Sequence, residues 1–146
     1  MITVVRAQAT EPSGRAEGTF TGEVWRDTVL PRQDGVGIAN VFFAPGARTH
    51  WHSHDGGQIL IVLAGEGFVG DEEGTARVSV GDTIWTPPGV RHWHGAAPDR
   101  YMIHTGISLA GVMTGTPADR RARRNGAMAR GTDLTITAIR DHGTSS

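Results

Sequence analysis

The chain has 146 residues, 14 basic and 15 acidic side chains, a formal net charge of -1 and no cysteine. That balance disfavours a nucleic-acid partner, and the missing cysteine excludes disulfides, thiolate zinc sites, iron–sulfur clusters and cysteine nucleophiles. Every basic residue is arginine, which also excludes Schiff-base, pyridoxal-phosphate and P-loop chemistry built on lysine.

The length fits one domain, and 21 glycines favour many tight turns and an all-β chain. Residues 1–18 are polar around Pro12 and Gly14 and read as an arm, with an early strand at 3–7. Beyond them, short runs rich in valine, isoleucine, threonine and aromatics predict strands at 19–26, 37–43, 49–54, 58–64, 67–70, 76–80, 82–86, 92–96 and 101–109. Pro45-Gly46, Asp55-Gly56-Gly57, Gly65, Gly81-Asp82 and Pro87-Pro88-Gly89 are among the breaks between them. This spacing predicts a sandwich or closed barrel of jelly-roll type over 19–112. Residues 113–146 are expected to hold a short C-terminal helix and a tail. Thr116 can cap the helix, Pro117 suits its first turn and Gly126 can stop it. Residues 132–139 alternate as a final strand. The start lacks the pattern of a signal peptide, and the longest apolar run, 59–64, is too short to span a bilayer. A cytoplasmic protein without membrane contact is the expectation.

Six of the seven histidines fall between positions 50 and 104. Strand side chains alternate, so His50, His52 and His54 share one face. His92 and His94 form a second pair, and His104 lies on the following predicted strand. Two imidazoles on one strand joined by a third from another make a facial metal site. Imidazole suits zinc, iron, nickel, copper and manganese, and Gln58 can add an amide oxygen. Spacing alone leaves open a blander alternative, surface histidines on an edge strand.

The flanking residues add to this. Gly46 is followed at fixed intervals by His52, His54, Gln58 and Gly65, and Gly81 by Pro87, Gly89 and His92. Both runs resemble the two signature motifs of the cupin superfamily, in order and covering 46–96. The resemblance implies an all-β cupin (jelly-roll) barrel holding one divalent metal on His52, His54, Gln58 and His92. Two positions depart from the usual pattern: Gln58 replaces the family's glutamate, and Ala96 the asparagine that closes the second motif. Three neutral imidazoles and an amide would leave the full charge of a divalent ion uncompensated, a setting for polarising oxygen rather than for redox cycling. Zinc is the expected ion, followed by manganese, iron or nickel.

The other histidines are candidates for moving protons. His94 and His104 are expected to face the cavity, and His50 to lie nearer its mouth. The alternatives are a rim position for His50, a ligand-orienting one for His94 and a core one for His104. Trp51 and Trp93 point away from the ligand faces. Trp85, Phe42, Phe43, Val41 and Met102 are candidate pocket walls. The segment Gly57-Gln58 and the run His92-Trp93-His94-Gly95 resemble those of small single-domain cupins. These include cupin-type hydroxynitrile lyases and a cupin polyketide cyclase. That resemblance implies Lewis-acid and histidine acid/base catalysis on a small-molecule carbonyl substrate, aromatic or polycyclic. Aromatic polyketide cyclisation by aldol closure and dehydration is the first expectation. Hydroxynitrile lysis, metal-dependent dioxygenation and a non-catalytic metal- or ligand-binding sensor are the alternatives. A homodimer is also expected.

Overall fold

The computed structural model describes residues 1–7, 11–110 and 113–115, and these form an all-β fold. Its strands in chain order are β1 (Gly14–Arg15), β2 (Phe20–Thr21), β3 (Val24–Gln33), β4 (Val36–Phe43), β5 (Arg48–Thr49) and β6 (His52–His54). They continue as β7 (Gln58–Asp71), β8 (Thr75–Ser79), β9 (Thr83–Thr86), β10 (His92–Ala96), β11 (Met102–Leu109) and β12 (Met113–Gly115). The main hydrogen-bonded order is β1-β3-β4-β11-β7-β10-β5-β2, and every pairing is antiparallel. The sheet curls round an interior, as the jelly-roll expectation requires.

The strand β7 makes the curl. Its first half, from Gln58, pairs with β11 and β9, and its second half, from Glu66, pairs with β10 and β8. The strand crosses from one sheet to the other at Gly65, where φ is 71° and a Cβ would collide with the carbonyl of Tyr101. Only glycine tolerates that conformation and that closeness. Gly65 was expected to end a strand; it bends a continuous one of 14 residues instead.

Three other expectations change. Residues 1–6 are exposed and carry no strand pairing, so the predicted strand at 3–7 is absent. The predicted strand 19–26 divides into β2 and β3, and β3 runs on to Gln33 through Pro31. Proline is tolerated there because register shifts interrupt the β3–β4 ladder between Thr28 and Leu30 and between Leu30 and Gln33. Asp34 and Gly35, with φ of 48° and 79°, then close a two-residue hairpin into β4. The predicted strand 49–54 breaks at His50 and Trp51 into β5 and β6. The predicted C-terminal helix and the strand at 132–139 lie outside the described residues. Residues 113–115 pair with β6.

Inside, each strand passes from apolar to polar along the barrel. On β11 the inward residues are Met102, His104, Gly106 and Ser108; on β7 they are Val62, Leu60 and Gln58; on β10 they are Ala96, His94 and His92. Val24, Val41, Phe43, Ala47, Val62, Val78, Ala96 and Met102 pack as one buried cluster at the apolar end. Phe43 and Met102 are essentially inaccessible to water. The imidazoles sit on this floor: Phe43 touches His94 and His104, with ring centroids 5.8 and 5.3 Å away.

Candidate metal centre

Three strands deliver the candidate ligands. His52 and His54 stand on β6 with Ser53 between them, and His52 lies opposite His92 of β10 in register. The rings of His52 and His92 are 4.3 Å apart between centroids, those of His52 and His54 5.1 Å, and those of His54 and His92 5.6 Å. One ring nitrogen from each of the three lies within 4.8 Å of the others. Gln58, first residue of β7, brings Oε1 to 3.1 Å from His92 Nε2. All four side chains are buried.

The hydrogen bonds fix which nitrogens face inward. His52 Nδ1 donates to the carbonyl of His50 at 2.9 Å, and His92 Nδ1 to that of Val90 at 3.0 Å. In a neutral ring the other nitrogen, Nε2, then carries a lone pair. Gln58 donates its amide to Ser108 Oγ at 3.4 Å, which leaves Oε1 as an acceptor. Two acceptors, His92 Nε2 and Gln58 Oε1, therefore face each other. Both nitrogens of His54 are buried without a hydrogen-bond partner. Buried polar atoms are otherwise paired, and a converging set of lone pairs with none to receive them fits a cation. The donor set and the family's metal match on this observation.

Electrostatics hold the ligands in the form a metal needs. Burial, reinforced by the neighbouring imidazole of His92, lowers the pKa of His52 to about 3 and that of His54 to about 4. Burial also lowers His92. All three are neutral at pH 7 and offer lone pairs rather than protons.

A second pair lies against the first. His94 Nδ1 and His104 Nε2 are 2.9 Å apart and share one proton. The His94 ring is 5.2 Å from that of His52 and stacks at 5.8 Å on that of His92. His94 Nε2 and His104 Nδ1 are buried with no partner. Burial, then the neighbouring imidazoles, sets the pKa of His94 well below the ordinary value, and burial brings His104 to about 4. The backbone of His94 is pinned by its N–H donating to Thr49 Oγ1 at 3.1 Å.

These shifts have a measurable consequence. Between the ordinary value of 6.5 and the folded values of about 3 to 4, the unfolded chain binds protons that the fold refuses. Stability is therefore complete above pH 6.5 and falls as pH drops towards 4, by up to about 1.4 kcal/mol per pH unit for each such histidine. Urea unfolding of chelator-treated protein at pH 7 and pH 5 checks this. An unfolding free energy that stays level across the interval would contradict the burial argument.

Of the other residues expected here, His50 is half-buried at the break between β5 and β6, and its carbonyl orients His52. Trp51 and Trp93 pack on each other and on Phe68, away from the ligands. Val41, Phe43 and Met102 face inward and belong to the buried apolar cluster. Trp85 and Phe42 do not. Trp85 is 53% exposed on the outer surface, beside Ile59 in register, and Phe42 stacks on Tyr101 outside the barrel. One step of alternation separates each from the inward face, held by Thr86 and Phe43. Sequence reasoning missed Thr49 and Ser108. Ser108 follows Met102, His104 and Gly106 at even spacing on the predicted strand, so the alternation already held it.

A small β-barrel with imidazoles from separate strands converging inside it is the architecture of a cupin. The Cupin domain family matches residues 40–103, a span holding all of these site residues except His104 and Ser108. The (R)-mandelonitrile lyase of Granulicella tundricola is 42% identical over 107 residues, which is 70% of this chain and 82% of the lyase. A cupin-like protein of Thermotoga maritima superposes with a TM-score of 0.72 at 38% identity, over 80% of this chain and 94% of the other. The chain belongs to the cupin superfamily. The polyketide cyclase RemF of Streptomyces resistomycificus superposes with a TM-score of 0.68 over 88% of this chain and 97% of its own, at 14% identity, a likeness of fold alone.

Proposed function

We propose that this chain is a metal-dependent lyase that splits α-hydroxynitriles of aromatic aldehydes into the aldehyde and hydrogen cyanide, and runs the reverse addition. The observation that carries the reading is the unpaired His94 Nε2, buried beside a seat of four neutral donors. The 42% identity to a mandelonitrile lyase supports it.

A divalent cation held by His52, His54, His92 and Gln58 would supply Lewis acidity toward a substrate oxygen. The chain's own part is proton transfer and shape. His94 Nε2 accepts the hydroxyl proton while the bond between the carbinol carbon and the nitrile carbon breaks, its electron pair leaving with cyanide. The same nitrogen returns the proton to cyanide, so the step is balanced without oxidant or reductant. His104 Nε2 holds His94 Nδ1 and so fixes the ring's orientation and tautomer. Room for the aryl group comes from Gly106 and Ala39, inward neighbours in register. A Cβ at Gly106 would meet Gln58, Leu60 and His104 at 3.6–3.7 Å, so glycine leaves that much volume beside the site. Buried apolar walls exclude water and lower the local dielectric. The aldol-type cyclisation expected first from the sequence needs a similar proton transfer, but it rests on a likeness of fold alone.

The test is release of benzaldehyde and cyanide from racemic mandelonitrile by protein loaded with zinc, manganese or iron. Enantioselective release above the buffer rate, without oxygen uptake, is expected. No cyanide release with any of the three ions, or turnover that consumes dioxygen, would refute the lyase reading.

A further inference from the structure

The strand that carries two of the candidate ligands is short and lightly tied. β6 has three residues and meets β10 at one register position, where His52 lies opposite His92. Strand structure lapses at His50 and Trp51 before it, and the chain turns at Asp55 and Gly56 after it. Along its whole length its ladder is with β12: Gly115 lies opposite His52, Thr114 opposite Ser53 and Met113 opposite His54. Among the described residues β12 pairs with no other strand. His52 and His92 have a further anchor, since Nδ1 of each donates to a nearby carbonyl. The ring of His54 has none. Its place follows from its backbone, which is held by β12 and by the N–H groups of Gly57 and Gly89 donating to its carbonyl.

Gly115 occupies the tightest position in this ladder. Register partners in an antiparallel pair share a face, so Gly115 extends the inward row of His52 and His92. Its φ lies outside the left-handed region, so the backbone conformation does not call for glycine. Clearance does: a Cβ there would stand 3.1 Å from His52 Cβ and 3.6 Å from the carbonyl oxygen of Trp51. Any side chain at this position makes either His52 or β12 give way by a few tenths of an ångström. Donor distances at a metal are specific to about 0.2 Å, so a displacement of that size at His52 is felt in affinity.

We infer that β12 braces the candidate metal centre and that Gly115 is a positioning residue, which lets β12 close on β6 while the imidazole of His52 keeps its place among the ligands. The inference rests on the metal reading of the site and not on the carbon–carbon chemistry.

Zinc and cobalt(II), added to the chelator-treated full chain, are the probes. Gly115→Val is expected to weaken zinc binding by about 10- to 100-fold, the cost of losing a group that orients a ligand, and Gly115→Ala by less. Thr114→Val, at the exposed outward position of the same strand, is expected to keep the parent's affinity. The visible absorption of the cobalt form should change in Gly115→Val and not in Thr114→Val, while the metal-free proteins melt alike. In the parent, zinc should slow amide exchange at 113–115 as well as at 52–54, because coupling between brace and metal acts in both directions. Gly115→Ala carries the comparison if valine prevents folding. Parent-like affinity and cobalt spectrum in the Gly115 variants would overturn the inference and leave the metal reading standing. An equal loss in Thr114→Val, or a loss that only follows a lower melting temperature of the metal-free protein, would overturn it too, by assigning β12 to the fold rather than to the metal centre. A parent that binds neither ion would overturn it together with the metal reading.

Discussion

Alanine in place of His92 is expected to strip the protein of its metal. His92 stands at the centre of the ligand set: its ring is nearest to His52, its Nε2 faces Gln58 Oε1, and its Nδ1 is held by Val90. Losing it removes one imidazole directly and leaves the Gln58 oxygen with no lone pair opposite it. Partners that only orient a ligand cost 10- to 100-fold in affinity when removed, so losing a direct donor should exceed about 100-fold. Elemental analysis of parent and variant, both purified without a nickel column, gives the comparison. Near-stoichiometric divalent metal in the parent and little in the variant is expected. Equal content in the two would remove His92 from the site. An absence from both, even after incubation with zinc, manganese and iron, would leave the converging lone pairs to another cation or to protons.

The second large effect separates catalysis from metal binding. His104→Ala is expected to lower turnover by about 10²- to 10⁴-fold while metal content stays near the parent's. His104 does not belong to the group of three ligand rings; it touches His94, whose ring lies between it and them. Without His104, His94 Nδ1 loses its partner in a buried setting, and the ring is free to turn or to change tautomer. His104→Gln keeps a polar group near His94 Nδ1 and should recover part of the loss. If the alanine variant loses its metal together with its activity, His104 supports the fold rather than the proton transfer. If glutamine and alanine act alike in kcat and in pH profile, the contact with His94 carries no orienting role.

The residues that were legible in the sequence are those whose spacing is set by the pleat. Alternation placed His52 and His54 on one face, and His92 with His94 on another, because a strand leaves no freedom in that respect. Gln58 was legible through its motif interval. Alternation failed at His50, since the chain bends between β5 and β6 and resets the faces. It also failed to separate walls from outer surface at Phe42 and Trp85. An apolar residue facing a partner or a neighbouring aromatic has the same composition as one facing a core. Pro31 hid the second half of β3, because the bulges that make proline tolerable there leave no trace in a single run of residues. The Asp34-Gly35 pair was a sufficient hairpin signal and was not used. Gly65 read as a stop because a positive φ looks the same in sequence whether the chain turns back or bends and continues.

That bend at Gly65 reaches beyond the site. Because one strand serves both sheets, neither sheet can come apart while the other keeps its ladder intact. His92 and His94 on β10 and His104 on β11 hang from opposite halves of this same strand. A cooperative, all-or-none transition is expected, in which the geometry of the candidate site and the global structure vanish together. Assembly must wait for β10 and β11 to find β7 across the intervening β8 and β9, so the barrel is expected to form by slow, non-local closure rather than by local accretion.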